Sequence, residues 1–156
     1  MLASRTKRFV NNLIDLTPFY IISYGLIYSL FYLGEYLDNY ELSQLLMNLS
    51  YLEELIIDSI IIVFYYFIFE SLSFRSLGKH ATNTIVIMNN GQAPTPKDVL
   101  IRSLCRIIPF DGLSFLGTNG KGWHDVLSKT YVADIEKFKT GQILANELDQ
   151  IGQSTD

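Results

Sequence analysis

The apolar residues of this chain gather into two long blocks instead of alternating with polar ones. The first runs from about Phe9 to Leu33 and the second from about Leu55 to Phe74. Leu16 to Leu33 is free of charge. At about 1.5 Å per residue in a helix, the first block exceeds the ~30 Å hydrocarbon core of a bilayer. The second, with IIIVFYYFIF at its centre, is dense in β-branched and aromatic residues. Alone it would also suit a buried strand, but its length and its neighbour favour a membrane helix. Pro18 falls near the start of the first block, where nearby groups can satisfy the freed carbonyl. Tyr32 and Tyr36 suit the far interface, and Asp58 and Glu70 bracket the second block near its two interfaces. Residues 35–54 form an acidic connection between the blocks. Within it, SQLLMNLSYLEEL is amphipathic and either extends the second helix or lies on the surface.

Charge orients this pattern. Arg5, Lys7 and Arg8 open the chain and the next basic residue is Arg75, so residues 9–74 contain neither Lys nor Arg. Basic flanks around an acidic middle predict a hairpin that crosses the membrane twice with both ends in the cytoplasm. The start resembles the basic region of a signal peptide, but the following run is too long, carries Asp15 and lacks a small-residue cleavage site. A retained helix is the better reading. The 156 residues make one domain at most, and a mean hydropathy of +0.21 is high for a soluble protein. The net charge of −4 is segregated along the chain, and no basic face indicates nucleic-acid binding. Cys105 is the single cysteine, so no disulfide closes within the chain; packing beside Leu104 and Ile107 is its expected role.

Arg8, Asn11, Asn12 and Asp15 recur at i, i+3, i+4 and i+7 and share one helix face. Two turns separate Arg8 from Asp15, so each needs another partner. A carboxylate at the depth of Asp15 costs on the order of 2.5–3.5 kcal/mol on insertion scales. A salt bridge to a downstream Arg is the favoured explanation, with an ion or proton site as the alternative.

After the second block, TIVIM and Asn89-Asn90-Gly91 predict a short extended segment and a turn. Thr95-Pro96-Lys97-Asp98 has the hydroxyl cap, first-position proline and early acid of a helix start. The helix over 96–108 is too short to span and stops at Pro109, with Arg102 and Arg106 four apart on one face. It is expected to be interfacial or re-entrant. PFDGLSFLG continues along the membrane, residues 117–122 form a loop, and WHDVLSKTYV closes a unit covering residues 1–135. Residues 136–156 form a tail in which ILANELDQI either makes a short helix or stays disordered. The fold class expected is thus an all-α membrane protein, a two-helix hairpin with an interfacial or re-entrant amphipathic helix.

Several of these residues resemble the RDD family of membrane proteins, named for one arginine and two aspartates. Arg8 and Asp15 in RFVNNLID and Asp125 in GWHDVLSKTYV match the name. Glu70, Gly78-Lys79, Gly91, Arg102, Arg106 and Pro109 agree further, so the resemblance runs from Arg8 to about Val132. Asn83 stands where the family often has Gly, and Ile85 where it often has a basic residue. No third span lies between Arg106 and Trp123, which makes this a short, two-span form. The resemblance implies a bacterial inner-membrane protein for which transport, including cation/proton antiport, has been suggested.

The charged residues combine into an expected cytoplasm-facing cluster of Arg8, Asp15, Arg102, Arg106 and Asp125, each offsetting the desolvation of another. Asn12, Glu70, Lys79, Trp123 and His124 support it. Trp123 and His124 are expected to anchor at the interface rather than to relay protons. His80 is an exposed loop residue. No metal-ligand set, phosphate loop, dinucleotide fingerprint or nucleophile–base pair is visible, so no cofactor, no metal and no enzymatic activity is expected. Two functions fit: transport of an ion or small ligand, or a non-catalytic adaptor whose cytoplasmic half docks a partner. Two helices cannot enclose a pathway alone, so transport requires a homo-oligomer or a larger membrane partner. Gly25 and Ser29 offer a small-residue spacing for close helix approach.

Overall fold

A computed structural model describes residues 1–117 and 120–153; Thr118 and Asn119 of the expected loop and the last three residues of the tail lie outside it. Helix α1 (Arg5–Tyr36) begins at Ser4, whose hydroxyl accepts from the Lys7 N–H at 3.2 Å. It runs through Pro18 and ends with Leu37. Helix α3 (Tyr51–Ser73) starts with a Ser50/Glu53 capping box. Both helices are longer than the apolar blocks that predicted them, because their caps lie in the polar flanks. Between them, the expected acidic connection holds its own short helix, α2 (Tyr40–Met47), capped by Asn39.

Both α1 and α3 are long and apolar enough to cross a membrane. Only 11% and 22% of their most apolar windows are buried. A core helix of a soluble protein would bury its apolar face, whereas these helices expose Ile21, Tyr24, Ile56, Phe64 and Leu72. The face that α1 does bury carries Arg8, Asn11 and Asp15 of the polar stripe and continues through Phe19 and Ser23, with Asn12 half-buried beside it. Asp15 meets Tyr65 and Tyr66, and Ser23 meets Asp58 at 2.5 Å. Advancing along α1 therefore means retreating along α3, so the two run in opposite directions.

Phe74 closes α3 in a left-handed conformation (φ 57°) and turns the chain into α4 (Leu77–Ala81). Asn83, at φ 56°, then leads into β1 (Thr84–Met88). Helix α5 (Pro96–Cys105) has the Thr95/Asp98 capping box and first-turn proline that the sequence predicts. It ends before the expected 108, in turns that lead past Phe110 (φ 66°) into a 3-10 helix (Asp111–Leu116). The chain finishes with α6 (Trp123–Leu127), β2 (Thr130–Asp134) and α7 (Ile135–Gln153). The expected tail is thus helical over its described part.

The chain is mostly helical but not all-α. TYVAD forms β2 and pairs antiparallel with β1, Thr84 opposite Asp134 and Met88 opposite Thr130. Five residues are too few to display a strand period, and the partner lies far away in sequence, so the hairpin signals for neighbouring strands do not apply. The chain start joins the same sheet edge: the Ala3 N–H donates to Val132 O at 2.9 Å and the Asp134 N–H to Met1 O at 3.0 Å. This pins the first turn of α1, and with it Arg8, beside α6 and β2.

Candidate functional site

The buried face of α1 supplies the first members of the site. Arg8 is 3% exposed; its guanidinium donates to Asp125 and to the carbonyl of Gly120 at 2.6 Å. Asp125, on α6, also accepts from Arg102 Nη1 at 2.5 Å and from the Gly122 N–H at 3.1 Å. Arg102 reaches from α5 to Glu70 on α3, Nε to Oε2 at 2.9 Å, and also donates to Thr130 on β2. Glu70, fully buried, takes Lys79 of α4 on its other oxygen at 2.9 Å. Glu70 and Asp125 thus each serve two cations, with Arg102 bridging them. In a low-dielectric interior such sharing recovers part of the desolvation cost of every member.

Asp15 departs from expectation. Among the described residues it bonds no arginine. Its oxygens accept from Tyr65 at 2.8 Å, Tyr66 at 3.2 Å, Ser76 at 2.6 Å and the Gly78 backbone N–H at 2.7 Å. Hydroxyls and an amide solvate the carboxylate in place of a countercharge. The close approach needs Gly78, since a Cβ there would stand 2.2 Å from the Asn11 carbonyl oxygen. Asn11 locks the same contact. Its amide nitrogen donates to Thr82, to Lys7 O at 3.1 Å and to Gly78 O at 2.9 Å, and its oxygen accepts from Thr84 at 3.0 Å. Asn12 donates to the Gly112 carbonyl and ties α1 to the 3-10 helix.

His124 also corrects the sequence reading. Glu70, expected in support of the cluster, holds Lys79 and Arg102 at the centre of the charge network. His124 was expected to anchor at the interface with Trp123. Trp123 is 48% exposed, but His124 is only 2% exposed. The His124 Nδ1 sits 2.6 Å from Asp111 Oδ2, and Nε2 sits 3.3 Å from Asp125 Oδ1. Burial, aided by Arg106 and Arg102, pushes the imidazole down to about 4 against the pull of Asp125 and Asp111. The ring is therefore neutral at pH 7 with one proton, and Asp111 is the nearer acceptor for it. Asp125 is held well below the usual carboxylate range: burial opposes its ionisation, but His124, Arg102 and Arg8 outweigh it.

Arg106 joins the cluster more loosely. Its guanidinium stacks 3.5 Å above the centre of the Tyr66 ring, and its nearest carboxylate oxygen is Glu70 Oε1 at 4.0 Å. Arg102 beside Glu70 and Arg106 over Tyr66 place α5 antiparallel along α3. Of the expected members, Arg8, Arg102 and Asp125 bond directly, Glu70 and Lys79 complete that network, and Asp15 and Arg106 flank it through Tyr66. Sequence reasoning missed Asp111, Tyr65, Tyr66, Ser76 and Thr130. Asp111 carried a signal, as the lone acid in the otherwise apolar segment PFDGLSFLG. The tyrosines carried none, because in a membrane block they pass for interface residues.

Among the described residues, no group of His, Cys, Asp and Glu is arranged to hold a metal ion. A groove of about 250 Å³ runs along α3 past Tyr51, Glu54, Asp58 and Ser59 to Ile62 and Arg106. A second cavity of about 390 Å³ lies between α1, α3 and the 3-10 helix. In comparison with known proteins, the RDD family profile matches residues 2–132, most of the chain. No curated protein matches it, and no solved structure does.

Proposed function

The chain belongs to the RDD family, and from that premise we propose that it takes part in moving an ion or small ligand across a bacterial inner membrane. In this reading α1 and α3 cross the bilayer as a hairpin and α5 is re-entrant beside α3. Both termini lie in the cytoplasm, since Arg5, Lys7, Arg8, Arg75 and Lys79 flank the spans on one side.

The observation that carries the proposal is the groove on α3. It opens among Glu54 and Asp58, one turn apart, and reaches Arg106, whose ring partner Tyr66 hydrogen-bonds Asp15. Ionisable groups thus continue through the depth of the molecule from one end of α3 toward the other. Intramembrane carboxylates of this kind mark ion pathways, and the acidic mouth favours a cation. The exposed flanks of both long helices leave room for the second copy or larger membrane partner that would close the path.

Reconstitution in liposomes tests the proposal. Wild-type protein should support flux under a sodium, potassium or proton gradient. Asp58→Asn and Asp15→Asn should each abolish it while the protein remains folded. Absence of flux under every gradient would overturn the proposal and leave the non-catalytic adaptor, whose cytoplasmic half docks a partner.

A further inference from the structure

We propose that the cavity between α1, α3 and the 3-10 helix binds an anionic phospholipid, with Arg106 reading the phosphate and the apolar wall taking the start of an acyl chain. The first observation is an incompletely used cation. Arg106 has a side chain only 6% exposed, and its Nε has no hydrogen-bond partner among the described residues. Glu70 is already occupied by Lys79 at 2.9 Å and Arg102 at 2.9 Å, and stands 4.0 Å from Arg106. The Tyr66 ring supports one face of the guanidinium but supplies no acceptor to its edge. A buried donor without an acceptor costs free energy, which an anionic oxygen would recover. A planar guanidinium is suited to phosphate oxygens.

The second observation is the cavity that Arg106 lines. Its volume of about 390 Å³ falls in the range of small-molecule sites. Phe9, Leu13, Leu16, Ile62 and Leu113 form its apolar wall. Phe9, Leu13 and Leu16 are 48%, 57% and 44% exposed, so the wall merges with the outer apolar surface of α1. The other polar side chains of the lining are engaged: Asn12 with the Gly112 carbonyl, Asp111 with His124 at 2.6 Å, and Tyr66 with Asp15 at 3.2 Å. A free inorganic anion would use Arg106 and leave the apolar wall uncovered. A lipid uses both. The site shares Arg106 with the groove on α3 but does not rest on the transport reading, and a protein without flux would still possess it.

The test uses the full chain purified in mild detergent, with native mass spectrometry and thermal melting as readouts. The probes are phosphatidylglycerol, phosphatidylcholine and inorganic phosphate. Phosphatidylglycerol should be retained and should raise the melting temperature more than phosphatidylcholine does. Arg106→Gln should weaken its retention about ten-fold, the loss of one charge-assisted contact. Leu13→Trp, at an exposed position that keeps Arg106, should also weaken retention by filling the cavity, and it serves if Arg106→Gln does not fold. Equal retention by wild type and the folded variants would overturn the proposal. Equal effects of the two lipids would overturn charge reading, and inorganic phosphate reproducing the lipid's effect would overturn the lipid as ligand.

Discussion

Glu70 shows how much one buried carboxylate organises. It holds Lys79 and Arg102 on separate oxygens and so ties α3, α4 and α5 together. Glu70→Gln keeps the shape but leaves two buried cations facing a neutral amide, and should cost about 3–5 kcal/mol. Asp15→Asn should cost less, about 1–3 kcal/mol, because its partners are hydroxyls and one N–H and an amide oxygen still accepts from several of them. Chemical unfolding in detergent micelles checks the order, and a costlier Asp15→Asn would refute it. His124 sets the pH response. Its ordinary value of 6.5 is pushed down to about 4 in the fold. Between those values the unfolded chain binds the proton that the folded one refuses, so stability falls as the medium is acidified through this window, by about 3 kcal/mol in total. Asp125, depressed by its cations, adds loss of the same sign at still lower pH. A melting temperature flat from pH 7 to 4, or removal of His124 leaving the slope intact, would contradict this. The Arg8–Asn11–Asp15 stripe was legible because helical period alone decides it. The partners of Asp15 and the burial of His124 were not, since both depend on side chains brought across from other elements, Tyr65, Tyr66 and Ser76 to Asp15 and Asp111 to His124.

The elements pack by close approach at few points. Gly78 lets α4 touch the Asn11 carbonyl and donate to Asp15 at 2.7 Å. Gly78→Ala should push α4 off α1 and cost about 1–3 kcal/mol, the range of overpacking. Gly25→Ala is the control: a methyl there meets nothing within 4 Å, so helix propensity alone acts and the change should be neutral or stabilising. Parallel melting curves of the two variants check the contrast, and equal curves would deny the tight contact. Asn83 explains its own departure from the family pattern. It sits at φ 56°, a conformation that favours Gly and that Asn tolerates better than most residues. The capped start of α5 was readable because Thr95, Pro96 and Asp98 act locally. Strand β2 was not readable, because three helical segments separate it from β1 in sequence and the chain start lies along its other side.

At the scale of the molecule, charge and apolar surface divide the work. The two long helices leave long apolar faces exposed, and the segments after Phe74 gather around the end of α1 that bears Arg8. The long helices and the charge asymmetry of their flanks were legible from composition and order alone. Grouping Arg8 with Asp125 followed from the need of buried charges for partners together with the resemblance, but the direct pairing of the two was not legible, since nothing local joins residues so distant. That distance has a consequence for biogenesis. Arg8 leaves the ribosome 117 residues ahead of the aspartate that neutralises it. Both greasy segments are delivered to the insertion machinery while Arg8 and Glu70 still await Asp125, Lys79 and Arg102. The network closes only once the chain has been made through residue 125, and a product truncated before it leaves Arg8 without its carboxylate.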